Sequence, residues 1–515
     1  MDRWSSQPIV CKGGIDLSVD TLTLGTVKPG AATILQNYEP SVAGGYQRVT
    51  GYSKWDSATV PGDANTPILG VCVWLGGVFA ARYSTSATSN DIYFSSGSGW
   101  GSKINSSSRP GAVKKIDILN YTLSTNRIYI TDGVNPAATY DGTTYTVING
   151  TGTPTAPKYA EAMPSYMALA QGTQLYVSAP NSDTDYNGAD GAVQFNIGDT
   201  ITGLRRFRDT LYIFCGTSIW ELTGTSSANF QLQSVTKSIG CVSGETILEV
   251  GGDLIYLSPD GFRSLAATYR IGDLQLGLLS KQITPLLLSN NFTTGGTADY
   301  NYTSVHIHTK NQYRCWVYDS SQLKAQAFGV IGKRIDDPIN VQYEWGTTLG
   351  IQPYSAHSEF INQKEIIAIG DPKNGYVYQL ENGNDFDGTP VYFTYRTPDL
   401  TFNDVGLRKV VQKLSLYTQA DGNMNITLNV QTDSNWQNMN SIQPPAIAIP
   451  YTSSGAVYGS AIYDTSVYSS AQYPIFKLPV VGSGFLVAFQ FSGTDSLPPH
   501  RIDSFNIEYA PKGRR

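Results

Sequence analysis

The feature that most limits what this chain can fold into is a short β-rich run that ends in Gly or Asp-Gly and restarts a few residues later. It is plainest in Thr210-Leu-Tyr-Ile-Phe-Cys-Gly216, Ser218-Ile-Trp-Glu-Leu-Thr-Gly224 and Asp253-Leu-Ile-Tyr-Leu-Ser-Pro-Asp-Gly261. Turn positions of that kind need φ > 0, which Gly adopts without steric cost, so each run reads as one strand of a hairpin. Repeated at the spacing of a four-stranded unit, the phrase predicts an all-β chain built around a β-propeller, which is a scaffold architecture.

Composition agrees with sheet rather than helix: 33 Tyr, 18 Phe and 51 Gly accompany only 15% charged residues, a mixture that suits pleated faces separated by many turns. At 515 residues the chain is too long for one ordinary core, so two or three domains are expected. Residues 1–45 carry Gly13-Gly14, Pro29-Gly30 and Gly44-Gly45 without clear periodicity and read as an extended arm with one strand. From 46 to 385, inner-strand candidates begin near Ile68, Val113, Tyr166, Ile201, Glu245, Thr303 and Ser355. Their spacing of roughly 40–60 residues implies a six- or seven-bladed propeller.

Within one unit, Gly203–Arg208, Leu211–Phe214, Ile219–Leu222 and Phe230–Val235 would run from the innermost to the outermost strand. The second of these alternates weakly, as a strand covered on both faces should. A turn cluster at Asn382–Gly388 precedes the longer runs Val410–Tyr417, Asn425–Val430, Phe476–Val480 and Phe485–Phe491. These predict a separate β-sandwich at 390–515, with a long partner-contacting loop or outer hairpin at about 436–473, rich in Ser, Tyr, Asn and Pro.

A formal charge of −6 and a pI near 5.3 make the surface repel polyanions rather than grip them. The five cysteines, odd in number and mostly set in apolar runs such as Val71-Cys-Val-Trp74, read as buried free thiols of a protein folded in a reducing cytoplasm. No apolar signal region follows Met1-Asp-Arg-Trp4, and no stretch has the length of a membrane span.

Few groups suggest chemistry. Ser258-Pro-Asp-Gly261 is too compressed for a sialidase Asp-box and lacks the Thr-Trp that should follow. Asp183, Asp185 and Asn187 stand at alternate positions before Gly188, as in a calcium loop, but Gln194 occupies the place of the bidentate Glu and an Asx-turn is the favoured reading. His306 and His308 share a strand face, and a two-residue turn at Lys310-Asn311 would set Cys315 opposite His306. No fourth zinc ligand is evident, so a packed strand is expected. Arg205, Arg206 and Arg208 form the densest basic cluster, best explained by ion pairs to acidic residues of an adjacent blade or subunit. The tail Lys512-Gly-Arg-Arg515 reads as solvated. No catalytic, cofactor-binding or metal residue is assigned, and no enzyme activity or cofactor is expected.

Several phrases, taken in order, resemble one family. Gln36-Asn-Tyr-Glu-Pro40 followed by Gly44-Gly-Tyr-Gln-Arg-Val-Thr-Gly-Tyr52 is similar to the opening of tail proteins of short-tailed DNA bacteriophages. Further matches are Leu204–Phe214 running into Ser218–Gly224, then Gly240–Gly244, Tyr256–Phe262, Asp387–Pro390, Tyr395–Pro398, Lys409–Lys413 and Gly513–Arg515. The chain therefore resembles the tail nozzle, or packaged-DNA stabilisation protein. The resemblance implies a structural virion protein, a homohexameric ring in the viral tail below the portal and its adaptor ring. It also implies contacts with tail fibre or spike proteins, passage of double-stranded DNA, genome retention, and gating of DNA ejection after assembly in the host cytoplasm. The alternatives are a receptor- or glycan-binding tail protein, in which exposed aromatics between Tyr451 and Tyr473 would stack on sugars, and a cellular propeller serving as an interaction platform.

Overall fold

The computed structural model describes residues 4–84, 89–107, 109–111, 115–265, 277–290, 292, 300–319, 328–335, 342–433, 443–452 and 473–514. It is all-β, with seven small antiparallel units following one another along the chain. The first four are Ile68–Trp74, Gly77–Tyr83, Ser89–Ser95 and Arg109–Pro110; then Asp117–Thr122, Asn126–Thr131, Ala138–Tyr140 and Tyr145–Val147; then Tyr159–Ala162, Met167–Gln171, Gln174–Val177 and Val193–Asn196; then Ile201–Phe207, Thr210–Cys215, Ile219–Thr223 and Gln231–Thr236. The fifth has three described strands, Leu248–Val250, Asp253–Ser258 and Gly261–Ser264. The sixth is Tyr300–Ile307, Gln312–Asp319, Phe328–Ile335 and Gln342–Thr348. The seventh joins Ser355–Ile361, Lys364–Gly370 and Val377–Leu380 to an early strand, Tyr52–Lys54.

The first strands of these units touch in cyclic order. Ile68–Trp74 meets Asp117–Thr122, which meets Tyr159–Ala162, which meets Ile201–Phe207. The short 3-10 turn Gly244–Thr246 links that strand to Tyr300–Ile307, which packs on Ser355–Ile361, and Ser355–Ile361 returns to Ile68–Trp74. The weak alternation of Leu211–Cys215 follows from this arrangement. Leu211, Ile213 and Cys215 enter a core shared with Ala168, Leu175 and Val177 of the preceding unit, whereas Tyr212 and Phe214 enter another with Leu254 and Tyr256 of the following one. A strand between two cores has no polar face to show. Between Trp74 and Gly77 the chain turns through Leu75 (φ 50°) and Gly76 (φ 75°), a two-residue turn that needs both residues left-handed.

A second body is made from both ends of the chain. One sheet runs in the order Tyr38–Pro40, Tyr46–Arg48, His500–Arg514, Leu407–Ala420, Ile475–Gly484, with Ser5–Val10 also pairing with His500–Arg514. Its partner layer continues the sixth unit. Ile34–Gln36 pairs parallel to Gln342–Thr348 and antiparallel to Val391–Arg396, followed by Val487–Asp495, Met424–Thr432 and Ile447–Tyr451, giving one nine-stranded sheet. Leu414, Leu416, Phe505 and Ile507 from the first layer share a core with Ile426, Leu428, Phe489 and Phe491 from the second. Phe505 lies 5.7 Å from Phe489 and 5.5 Å from Phe491, ring centre to ring centre. Each such side chain contributes about 1.5–3 kcal/mol by leaving water.

Several expectations need correction. Residues 1–45 are not an arm with a single strand: they hold Ser5–Val10, the helix Thr21–Val27 capped by Asp20, Ile34–Gln36 and Tyr38–Pro40. The third unit starts at Tyr159–Ala162, not near Tyr166, which precedes its second strand. Of the loop or outer hairpin expected at about 436–473, the described part is the hairpin, Ile447–Tyr451 pairing antiparallel with Met424–Thr432 at the sheet edge; residues 434–442 and 453–472 lie outside the described residues. The basic tail continues the last strand, Lys512 and Arg514 pairing with Arg408 and Leu407, while Lys512 is exposed to solvent as expected.

Candidate functional site

The first strands of units two to seven surround a cavity of about 610 Å³. Its charged lining is mostly acidic: Asp117, Glu161, Glu245, Glu249 and Glu359, with Arg205 among them. Asp117 is pushed up to about 7, first by burial and then by the charge of Glu245. Glu161 is pushed up to about 6 by burial, with Arg205 opposing. Both effects follow from removing carboxylates from water beside like charge. Arg205 reaches Glu161 of the neighbouring unit at 3.8 Å, and Arg206 reaches Asp209 at 3.8 Å while its Nε donates to the carbonyl of Arg208. The basic cluster thus has one ion pair to the adjacent unit and one within its own hairpin. Behind the rim, Lys115 donates to Thr303 Oγ1 at 2.8 Å and to the carbonyl of Tyr302, and pairs with Glu245 at 3.5 Å.

Three histidines border the same cavity. His357 accepts the Val73 amide at Nδ1 (3.2 Å), and burial lowers its pKa to about 4. His306 and His308 lie with ring centres 4.2 Å apart. They titrate in opposite senses: burial takes His306 down to about 4, while the 2.9 Å contact with Glu365 raises His308. Cys315 does not join them. The chain turns through His308–Lys310 with Asn311 at φ 49°, so Tyr313 stands opposite His306 and Cys315 opposite Ser304. The thiol of Cys315 is buried and its pKa is pushed up to about 12, which leaves it a poor ligand. All five cysteines are buried and unpaired.

The calcium-like loop has its oxygens committed. Asp183 Oδ2 accepts from Arg127 at 3.0 Å and from the Tyr121 hydroxyl, Asp185 accepts the Asn187 amide at 2.9 Å, and Asn187 Oδ1 accepts the Ala189 amide. Asx-turn bonding describes the loop.

A second assembly of charge, which no sequence motif announces, sits where the two bodies join. Glu39 lies 2.6 Å from Lys310 and 2.7 Å from Arg314, while Glu381 lies 2.5 Å from Lys310 and 2.7 Å from Arg314. Arg314 and Glu39 are both about 1% exposed. Thr50 adds a hydrogen bond to Glu381 at 2.7 Å. Burial alone would discharge these groups, yet the facing partners lower Glu381 and raise Lys310 and Arg314. Around them, Asn37 (φ 53°) donates to the carbonyls of Leu349 and Tyr392 and accepts from the Leu349 amide. Tyr46 Oη donates to the carbonyl of Gly30 at 2.9 Å. Gln36–Tyr52, the phrase that carries the family resemblance, is therefore built into the joint.

Sequence reasoning missed both assemblies. The cavity carboxylates are separated by tens of residues, and the available signal was one acidic residue in the first strands of units two, three, five and seven: Asp117, Glu161, Glu249 and Glu359. Glu39 and Glu381 meet only through tertiary pairing.

No family model matches the chain, and no curated protein matches it. Solved structures with some likeness include the extracellular domain of a one component system from B. thetaiotaomicron, with 9% identity and TM-score 0.40 over 65% of this chain, which spans 40% of that one. PorZ, a bacterial surface component of the type-IX secretion system of Porphyromonas gingivalis, shows 9% identity and TM-score 0.38, covering 83% of this chain and 60% of that one. Hsv2 of Kluyveromyces lactis shows 12% identity and TM-score 0.32, covering 55% and 84% respectively. Likenesses at this level do not bear on function. Among the described residues no helix is long and apolar enough to cross a membrane.

Proposed function

We propose that this chain is a non-enzymatic structural subunit of a short bacteriophage tail, the nozzle that continues the portal–adaptor channel, retains packaged DNA and gates its ejection. The observation that carries the reading is the ordered set of nozzle-like phrases, above all Gln36–Tyr52. The use of that phrase supports it: Glu39, Asn37 and Arg48 tie two β-bodies into one unit, a sound property for a part that bears load. In the same reading the seven antiparallel units are the blades of a seven-bladed propeller, supported by the cyclic contacts of their first strands, and the paired layers of the second body are a sandwich. The net charge of −6 suits a channel that must release DNA.

The proposed assembly is a homohexamer in the virion, formed in the host cytoplasm, contacting the adaptor ring and tail fibres or spikes. Cryo-electron microscopy of purified particles tests it. A six-fold ring of this chain at the distal end of the portal–adaptor axis is the expected result. A peripheral trimer, or a monomer that binds glycans and ignores adaptor rings, would refute it.

A further inference from the structure

Four buried polar atoms meet at a second point of the joint. Arg48, wholly buried, donates through Nη2 to the carbonyls of Asn384 (3.0 Å) and Leu497, while its Nε and Nη1 have no hydrogen-bond partner. Asp495 Oδ2 and His500 Nδ1 are also buried and unpartnered, and the charge of Arg48 acts on His500. They are neighbours. Arg48 Nη2 lies 3.8 Å from Asp495 Oδ1, and its guanidinium is 6.0 Å from the centre of the Phe393 ring, which in turn is 4.9 Å from the His500 ring.

The protons can be placed. Tyr38 Oη lies 2.7 Å from His500 Nε2. Burial pushes the phenol far above its ordinary pKa and the imidazole down to about 3, so both are neutral. Between the two neutral groups the imidazole nitrogen is the better acceptor and the phenol the better donor, so the phenol donates to Nε2 and Nδ1 carries the imidazole hydrogen. The uncommitted set is two N–H groups of Arg48 and one of His500 as donors, with Asp495 Oδ2 as acceptor. Asp495 would repel an anion and Arg48 a cation. The 3.8 Å gap is too long for a hydrogen bond, and a gap of that size between desolvated charges suits a small neutral molecule able to donate and accept at once.

We propose that this pocket is a binding site for ordered water, which accepts from Arg48 and from His500 Nδ1–H and donates to Asp495 Oδ2, so that the two bodies are joined there by a water-bridged ion pair. Buried waters ordinarily make about three hydrogen bonds, and this one would make at least that number.

Two measurements on the full chain test the site. In a map that resolves solvent, a peak within hydrogen-bond reach of Arg48, Asp495 and His500 together is expected. Direct contact between Arg48 and Asp495 with nothing between them would overturn the proposal, as would an anion identified by its anomalous signal. Oxygen-17 magnetic relaxation dispersion counts long-lived buried water. His500→Phe keeps the ring contacts with Phe393 and Tyr38 but removes Nδ1, and should lose signal relative to the unaltered protein; equal signal counts against the site. If that variant does not fold, the map of the unaltered protein decides alone.

Discussion

Replacing Asp117 by Asn should make the protein more stable in mild alkali and change how its stability depends on pH. The folded-state pKa of Asp117 is about 7, raised by burial and by Glu245, against about 3.9 in an unfolded chain. For a raised carboxyl the sign is fixed: the folded form holds the proton more tightly, so the contribution is fully present below about pH 4 and is lost as pH rises through 7. A shift of about 3 units at 1.36 kcal/mol each sets a ceiling near 4 kcal/mol. The cavity is open to solvent, and screening there reduces the figure to about 1–2 kcal/mol. Asn keeps an oxygen for the Ala160 amide, which Asp117 Oδ2 accepts at 3.4 Å, but cannot ionise. Urea unfolding from pH 3 to 8.5, followed by tryptophan fluorescence, should show the variant gaining about 1–2 kcal/mol over the unaltered protein at pH 8 and nothing at pH 3. Glu161, raised to about 6, keeps part of the slope at lower pH in both proteins. Parallel pH profiles for the two would mean that Asp117 titrates as it does in water, and would refute desolvation by the cavity wall as the force acting on it.

Three further outcomes are expected. Glu39→Gln leaves Arg314 and Lys310 to share the one carboxylate of Glu381 in the joint and should cost about 3–5 kcal/mol in denaturant unfolding, more than removal of the partly exposed Lys54–Asp387 pair. In the folded protein none of the five thiols should react with Ellman's reagent at pH 8, since all are buried with pKa values pushed to about 12 or above, whereas all five should react in guanidinium. Asp183→Asn should lower stability by about 1–2 kcal/mol through the lost pair with Arg127, and millimolar calcium should leave the Tm of the unaltered protein where it is.

The hairpins are legible because Gly and Asp-Gly mark their turns, and Ile201–Thr236 can be read strand by strand for that reason. What fails does so on phase. The strand His500–Arg514 is hidden because its ladder slips between Tyr417 and Thr418: Ile502 and Phe505 are three apart rather than two, which breaks the alternation a strand should show. Pro511 and Gly513 weaken the pattern further. The His306–Cys315 register is misread because Asn311 adopts the left-handed conformation at a turn where glycine is the usual marker. Charged groups at the cavity and the joint are beyond reach for another reason. Asp117 and Glu245 interact across 128 positions of chain, as do Glu39 and Glu381 across 342, so only the closing of the units brings them together.

Ser6 bonds to Asn506 across 500 positions, inside a ladder between Ser5–Val10 and His500–Arg514. That ladder sets a timetable for biosynthesis. At roughly 5–20 residues per second, a ribosome needs about half a minute to two minutes to pass from one strand to the other, and throughout that time Ser5–Val10 has no partner. Tyr52–Lys54 waits similarly for Val377–Leu380. The middle units can pair as they emerge, whereas the ladder of Ser5–Val10 closes only after Ser504–Tyr509 has been made. Until then the nascent chain carries an unpaired strand open to edge-to-edge aggregation, and a premature stop before Ser504 would leave Ser5–Val10 unpaired.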